Sequence, residues 1–417
     1  MKHSNFAIVI GLDCMTGLQT ARILSARGVP VIGIASKPKH FSCYTKVCKK
    51  ILYANTSSEE FIVKLEKLGP GLVGKAVLYP CTDMSVLILS RNRHRLINWY
   101  HTVLSDQDVV ETLMDKISFY KFAKQANLPI PLTYLLYKKS DVIEAADQLT
   151  YPCILKPPIK SVEWEKNTNA KVFKVFSKQE LIDQYDKCSS WSEVLIAQQW
   201  VSGDDSHLYS CNCYFNSDSE PVVTFIARKI RQWPPETGTS CLGQECRNDF
   251  VLKESIRLFK NVNYRGLGYV EFKKDERTGE HFIIEPNIGR PTGRSAIAEA
   301  GGVELLYTKY CDTIGHPLPS NRTQKYRNVK WIYLRRDLQS AFYYWRRGEL
   351  SLLNWLKSIK GRKGYALLSW SDPLPFFVDL FNKLSYHFRR DSVNHPGIES
   401  SNEVTETILP QTSTVNF

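Results

Sequence analysis

The sequence contains no apolar run that approaches the roughly 18 residues a helix needs to cross a bilayer. Its first apolar stretch, residues 6–10, is too short for the core of a secretory signal, and no small-residue cleavage site follows it. We therefore expect an intracellular protein that resides in the cytoplasm.

Patterns of covalent catalysis, of structural zinc and of dinucleotide binding are also missing. The sequence has no Gly-x-Ser-x-Gly motif and no cysteine–histidine pair that would mark a protein nucleophile. Its eleven cysteines lack the spacing of zinc ligands, which is typical of reduced thiols in a cytosolic protein. The glycine-bounded turn at 11–17 does not have Gly-x-Gly-x-x-Gly spacing, which disfavours an NAD-dependent enzyme.

The net charge is positive and unevenly distributed. The 417 residues are 43% hydrophobic, enough for a buried core of two to three domains. Lysine and arginine total 55 against 42 for aspartate and glutamate, a net charge of +13. Residues 325–365 hold eleven basic and two acidic side chains, so this stretch carries most of the excess. It predicts an anionic partner or surface at one end of the molecule.

The order of apolar patterns indicates the fold. Strand patterns at 6–10 and 29–34 enclose a helical pattern at 18–27, which predicts a parallel sheet. Later strand patterns occur as adjacent antiparallel pairs, so we expect an α/β and α+β protein. We predict four parts: a parallel α/β domain at 1–110, a nucleotide-binding domain at 111–320, a basic aromatic helical region at 321–390, and a disordered tail at 391–417.

Three oxygen-bearing side chains lie in two neighbouring strand patterns. Glu285 and Asn287 are two residues apart and face the same side of an extended segment, and a hairpin could place Glu271 beside them. Two carboxylates and one amide oxygen are hard ligands that suit Mg²⁺. The alternative is that each glutamate pairs with a nearby arginine.

Two lysines earlier in the chain favour the metal interpretation. Lys156 ends an apolar strand and is followed by two prolines, which fix the chain just after the charge. Lys116 opens a helical pattern at 116–127. A lysine held in place in this way can act as a point charge on a phosphate. Either lysine alone is more often a solvated surface residue.

The ordered set resembles the ATP-grasp superfamily, in particular carboxylate–amine ligases of the D-aspartate ligase type. The match runs from about residue 115 to 302, with 1–110 as the pre-ATP-grasp domain. The resemblance implies a Mg²⁺ (or Mn²⁺) site at Glu271, Glu285 and Asn287, and a carboxylate- or phosphate-binding arginine at Arg290. It further implies ATP contacts from Lys116, Lys156, Gln198, Val201, Gly203 and Asp204. In the N-terminal domain it suggests substrate contacts from Thr16, Gly17, Thr82 and Asp83.

Two features depart from the family pattern. The lid between the second lysine and the hinge is usually rich in glycine, but residues 157–176 contain none. We expect this lid to use side chains such as Lys160, Lys166 and Lys171 in place of backbone N–H groups. The hinge also has Gln198 and Gln199 where acidic residues are common, which matters less because adenine contacts there are largely made by the backbone.

Two further cations are candidate catalytic residues. Strand alternation predicts Lys229 and Arg231 on one face and Arg228 on the other, so that one face meets the γ-phosphate. A mobile loop at 234–240 would cover the site. The alternative is that these residues are solvated charges at a strand edge.

The resemblance implies a ligase reaction. ATP would phosphorylate a carboxylate, and an amine would displace the phosphate, with a cell-wall or surface-polysaccharide precursor as the expected acceptor. The small-molecule partners would then be a carboxylate and an amine. The alternatives are a carboxylase that uses bicarbonate and a regulatory ATP-binding module without catalysis.

The basic segment at 325–365 interleaves arginine and lysine with tryptophan and tyrosine. This composition suits an anionic membrane or a lipid-linked precursor. No nucleic-acid motif is visible, so no nucleic acid is expected. The alternative is a solvated helical pair that packs through its aromatic side chains.

Overall fold

The structure is a computed structural model that describes residues 5–235 and 238–391. The chain forms two compact units, one from the described residues of Met1–Thr102 and Leu367–Phe417, the other from Val103–Ala366. Within the described ranges, no helix is long and apolar enough to cross a membrane. The expected tail lies, except for Asp391, outside the described residues, and the four-part domain division stays a prediction.

The first unit contains a five-stranded parallel sheet, as the sequence predicts. Its strands are β1 Ala7–Ile10, β2 Val31–Ala35, β3 Cys48–Tyr53, β4 Ala76–Pro80 and β5 Tyr100–His101, in the order β3-β2-β1-β4-β5. Its first helices are α1 Met15–Ala26, α2 Glu60–Leu68, α3 Asp83–Arg91 and α4 Arg93–Leu96. Strands β1, β2 and β4 are fully buried, which explains their continuous apolar sequences.

The turn between β1 and α1 depends on two glycines. Gly11 has a φ of +88°, and a side chain at Gly17 would place its Cβ 2.1 Å from the Gly11 carbonyl oxygen. The turn therefore serves close packing of α1 against the sheet. Thr16 and Gly17 lie in the first turn of α1, and Thr82 caps α3.

The second unit contains two sheets and most of the helices. Its strands are β6 Thr133–Leu136, β7 Cys153–Lys156, β8 Phe173–Val175, β9 Leu195–Gln199, β10 Leu208–Phe215, β11 Pro221–Trp233, β12 Thr239–Glu245, β13 Gly266–Lys274, β14 His281–Ile288, β15 Lys330–Ile332 and β16 Lys363–Tyr365. Its helices are α5 Gln107–Met114, α6 Lys116–Gln125, α7 Lys139–Gln148, α8 Val162–Asn167, α9 Lys178–Cys188, α10 Asp249–Lys260, α11 Ala296–Gly301, α12 Leu305–Thr313, α13 Leu334–Arg346 and α14 Leu352–Ile359.

The smaller sheet, in the order β6-β9-β7-β8, has two faces of different character. One face packs a hydrophobic core that includes Leu155 and Ala197 together with Trp164 from α8. The opposite face carries Lys156 and Gln198, because residues that alternate along each strand point to opposite sides. The apolar core therefore fixes which polar side chains the sheet presents.

The larger sheet has the order β14-β13-β10-β11-β12-β15-β16. The two expected antiparallel pairs, β10–β11 and β13–β14, are confirmed. The basic region is helical in α13 and α14, but it also supplies β15 and β16, which complete one side of this sheet. This region is therefore not a purely helical addition.

The chain returns to the first unit after Ala366. Its last described helix is α15, Leu374–Asp391. Just before it, the buried Asp372 accepts hydrogen bonds from Arg22 Nε at 2.8 Å and from Thr45 Oγ1 at 2.6 Å. This ion pair joins residues 350 positions apart within the unit.

Candidate active site

The β13–β14 hairpin brings the predicted metal ligands together. Glu271 lies directly opposite Glu285, and Asn287 lies opposite Tyr269 in the next row. Directly opposite residues share a face of an antiparallel pair, so all four side chains project from the same side. A bulge between Glu271 and Phe272 separates these residues from the turn end of the hairpin.

Basic side chains surround these oxygens. Lys229 Nζ lies 3.7 Å from Glu271 Oε2, and Arg294 Nη2 lies 3.5 Å from Glu271 Oε1. Arg290 donates from Nη2 to Asn287 Oδ1 at 2.6 Å and from Nη1 to the Tyr269 hydroxyl at 2.8 Å. The glutamate–arginine pairing considered as an alternative is thus present at Glu271, where it involves a predicted metal ligand.

The cations keep Glu271 ionised. Burial alone raises the pKa of its carboxyl. The charges of Lys229, Arg294 and Arg290 outweigh burial, so that the pKa lies below its ordinary value. A carboxylate in this setting is ready to bind a cation or to orient one of its basic neighbours.

The donor set fits a hard divalent cation. Among residues 5–235 and 238–391, no three His, Cys, Asp or Glu side chains cluster as a metal site, so the third ligand would be an amide. Asn287 supplies that amide, and its buried Nδ2 has no hydrogen-bond partner. Its Oδ1 accepts from Arg290 Nη2 at 2.6 Å, which fixes the orientation of the amide, and the second lone pair of this oxygen can bind a cation. Two carboxylates and an amide oxygen match the preference of Mg²⁺ for oxygen.

The prediction that Lys229 and Arg231 share one face is wrong. Lys229 lies opposite Gly243 and Arg231 opposite Leu242, which are consecutive residues and therefore point to opposite faces. A β-bulge at Ile230 breaks the alternation. Arg231 instead forms a buried two-point ion pair with Asp337, from Nε at 2.8 Å and Nη2 at 3.1 Å. The catalytic role expected of Arg231 loses its geometric basis.

The two predicted phosphate-binding lysines lie at the start of α6 and at the end of β7. Lys156 Nζ donates to Gln198 Oε1 at 3.0 Å and to the Tyr120 hydroxyl at 3.2 Å. Lys116, one helical turn before Tyr120, donates to the Pro158 carbonyl at 2.8 Å. Both ammonium groups are thus held by neutral oxygens, which leaves their charge uncompensated by these contacts.

The hinge after β9 differs in detail from the expectation. Gln198 lies inside the sheet, between Thr133 and Ile154, and it contributes its side chain to Lys156. The chain leaves the sheet only after Gln199. There the Trp200 ring contacts two ammonium groups, with Lys174 Nζ 4.2 Å and Lys273 Nζ 4.7 Å from its centre.

The remaining hinge residues have local structural roles. Val201 is buried, and Gly203 has a φ of +124° with His207 so close that any Cβ would lie 2.8 Å from its ring. Asp204 is exposed and accepts from Ser206 N at 2.8 Å and from His207 Nδ1 at 2.9 Å. These contacts define the turn that joins the two sheets.

The glycine-free segment 157–176 is anchored by a tryptophan. Trp164 is fully buried in the core of the smaller sheet, and its Nε1 donates to the Ala170 carbonyl at 2.8 Å. Lys166 pairs locally with Glu163 at 3.2 Å. The function of residues 157–176 as a lid stays a prediction. In the loop at 234–240, Glu236 and Thr237 lie outside the described residues.

Sequence reasoning missed Arg294, Tyr120 and Trp200. Arg294 is 6% exposed, contacts Glu271 and Ser210, and has a buried Nη1 without a partner in the structure. It follows Arg290 in the loop Arg-Pro-Thr-Gly-Arg, and this second arginine was the available signal. No periodic pattern marked it, because the loop has neither helical nor strand spacing.

Comparison with known proteins identifies similar ligases. No protein-family model matches the sequence. D-aspartate ligase of Enterococcus faecium is 23% identical over 231 residues, which cover 53% of this chain and 54% of that protein. D-alanine–D-alanine ligase B of Chromobacterium violaceum is 28% identical over 214 residues, which cover 48% and 67%. The chain thus spans about half the length of the first relative.

A solved structure supports the fold assignment. N5-carboxyaminoimidazole synthetase from Staphylococcus aureus superposes with a TM-score of 0.60 at 14% identity, covering 76% of this chain and 79% of that one. The chain has the ATP-grasp fold. The sequence is similar to proteins named as ligases of amino acids, which confirms the resemblance predicted from the sequence.

Proposed function

We propose that the chain is an ATP-dependent ligase that activates a carboxylate as an acyl phosphate and joins it to an amine, with release of ADP and phosphate. The observation that carries the proposal is the row of Glu271, Glu285 and Asn287 on one face, beside Lys229, Arg290 and Arg294. The similarity to two proteins named as ligases of amino acids supports this reaction.

Glu271, Glu285 and Asn287 would hold Mg²⁺ or Mn²⁺. When bound, the metal would supply positive charge that offsets the repulsion between the phosphates and a carboxylate. Lys229 and Arg294, which lie beside Glu271, would bind the transferring phosphoryl group.

The basic residues of the chain would neutralise the remaining charge. Lys116 and Lys156 would bind the phosphates of ATP, and Arg290 would steady the substrate carboxylate. A carboxylate oxygen forms a bond to the γ-phosphorus as the bond from that phosphorus to ADP breaks. The amine then bonds to the acyl carbon, phosphate leaves with the electrons of the C–O bond, and the amine loses a proton. No protein nucleophile is needed.

The adenine would bind where the chain leaves β9. The backbone from Gln198 to Val201 borders this position, and Gly203 and Asp204 follow at the turn, where the carboxylate would reach the ribose. The Trp200 ring already contacts two lysines there. An aromatic base would suit the same cationic environment.

The test is a screen for substrate-dependent ADP release. Pairs of amino acids, short peptides and uronic acids are offered with Mg-ATP to wild type, to Glu285→Gln and to Glu280→Gln. Glu280 is an exposed glutamate at the end of the same hairpin and provides the matched control. We expect release by wild type and Glu280→Gln, and a loss of at least about 100-fold in Glu285→Gln. ATP binding without stimulation by any pair would instead favour a regulatory module.

We propose further that the acceptor is a cell-wall or surface-polysaccharide precursor, free or lipid-linked, that the protein binds at an anionic membrane. Two observations support this finer assignment: the relatives named as D-amino-acid ligases, and the concentration of positive charge at 325–365. In the ADP-release screen, a precursor peptide should then stimulate turnover at lower concentration than free amino acids. Equal stimulation by free amino acids would contradict it.

A further inference from the structure

Helix α13 is oriented with its polar side inward and its apolar side outward. Asp337, Ser340 and Ala341 are buried against the sheet. The outward side presents Leu334, Leu338, Phe342 and Trp345, of which the last two are 56% and 58% exposed. These residues follow a helical spacing of three and four and therefore form one stripe.

Helix α14 also has exposed apolar side chains. Leu352, Leu353 and Leu356 are exposed, with Leu353 at 69%. The Trp355 side chain instead reaches the buried Asp337, to which it donates from Nε1 at 2.9 Å. We call the seven outward side chains of α13 and α14 the apolar face. Large exposed apolar groups clustered in this way mark an interaction surface.

A buried polar network fixes this orientation. Asp337 is fully buried and accepts from Arg231 and Trp355, while Arg231 Nη1 donates to Ser358 Oγ at 2.8 Å. Turning α13 to bury its leucines would strip Asp337 of these partners and expose an apolar surface of the sheet. Breaking a buried ion pair in this way is strongly unfavourable. The outward apolar face is therefore specified by the fold.

Positive charge borders the apolar face. Arg346, Lys357, Lys360 and Arg362 are all exposed. Arg347, which follows the last residue of α13, adds less free charge because it pairs with Glu349 at 2.6 Å. A second copy of the chain would bring an identical cationic border against this one, which opposes self-association. An anionic lipid surface satisfies both the apolar side chains and the charges.

We propose that the apolar face of α13 and α14 docks on an anionic membrane surface, with its aromatic and leucine side chains at the level of the lipid headgroups. This inference refines the membrane contact suggested with the proposed function, but it does not depend on catalysis. It also gives Arg231 a role, as the positioning residue that holds both helices in their outward orientation.

Co-sedimentation of the full chain with vesicles tests the proposal. The vesicles contain either phosphatidylcholine alone or phosphatidylcholine with phosphatidylglycerol. We expect binding to the anionic vesicles, weakened by salt, and a fall of at least about tenfold in partitioning for the variant Phe342→Ser/Trp345→Ser/Leu353→Ser. The control Ile143→Ser removes an exposed apolar side chain from α7 and should bind like wild type.

Three results would overturn the proposal. The first is equal binding to both kinds of vesicle, and the second is equal binding by wild type and the triple variant. The third is a concentration-dependent dimer in vesicle-free sedimentation that the triple variant abolishes, because the apolar face would then belong to a second copy. Circular dichroism confirms that each variant is folded. ADP release is measured separately, so that failure of docking and failure of the ligase reaction remain distinguishable.

Discussion

Glu271 and Glu285 lie directly opposite each other on β13 and β14, with Arg294 3.5 Å from the first carboxylate. Two like charges in this position destabilise a strand pair unless cations offset them. Lys229 and Arg294 provide that compensation in the metal-free protein. A divalent cation bound between the carboxylates would take over the same task.

Arg294→Met should therefore lower the free energy of unfolding by about 2 kcal/mol in the absence of divalent cations, because it leaves Glu271 with less compensation. Mg²⁺ should recover more stability in this variant than in wild type, since the metal replaces the lost charge. Urea denaturation with EDTA and with Mg²⁺ measures both effects. Equal responses to Mg²⁺ would argue against a metal at these carboxylates.

Arg231→Met should act on stability and not on the reaction. It leaves Asp337 buried without its ion-pair partner, so we expect a loss of roughly 3 kcal/mol or more in the free energy of unfolding. The double variant Arg231→Met/Asp337→Leu should be less destabilised than Arg231→Met alone, because it removes the stranded charge. If Arg231→Met kept wild-type stability but lost turnover, Arg231 would have to act in the reaction after all.

Lys156→Met should weaken ATP binding at least about tenfold, because its ammonium group is held in place by Gln198 and Tyr120 without a carboxylate partner. Lys187→Met on the exposed side of α9 is the matched control and should bind ATP normally. Calorimetry with a non-hydrolysable ATP analogue measures both. Unchanged affinity in Lys156→Met would place the phosphates elsewhere.

The contribution of Asp275 to the stability of the protein should be lost at acidic pH. Hydrogen bonds from the Arg277 side chain, together with backbone N–H groups of Arg277 and Ser202, outweigh burial and lower the pKa of Asp275 to about 2. The unfolded value is about 3.9, so the stabilisation is complete above pH 4 and is lost as the pH falls towards 2.

Asp275→Asn should accordingly cost about 1 kcal/mol at pH 7 and progressively less between about pH 4 and pH 2. Urea denaturation across this range measures the difference from wild type. The exposed Asp186 pairs with Lys139 at the surface, and Asp186→Asn serves as a control with little effect. A constant difference at all pH values would contradict the assignment.

Local patterns explain which parts of the site were predictable. Glu271, Glu285 and Asn287 obey strand alternation, and Lys116 starts α6 where the sequence indicates. The same alternation failed at Arg231, because a single extra residue at a bulge reverses the faces, and nothing in the sequence marks the bulge.

Long-range contacts could not be predicted. Arg22 and Asp372 are 350 residues apart, and neither lies in a motif that indicates the other. The outward apolar stripe of α13 has the same spacing as an ordinary buried stripe, so periodicity alone cannot show which side faces the core. Only the buried partners of Asp337 settle its orientation.

The acyl-phosphate route is tested most directly by isotope transfer. Once a substrate pair is found, the carboxylate is supplied with ¹⁸O in both oxygens, and the released phosphate is analysed by mass spectrometry. The proposed route predicts ADP as the nucleotide product and one ¹⁸O atom in each phosphate, in wild type and Glu280→Gln alike. Phosphate without ¹⁸O, or release of AMP and pyrophosphate, would contradict it.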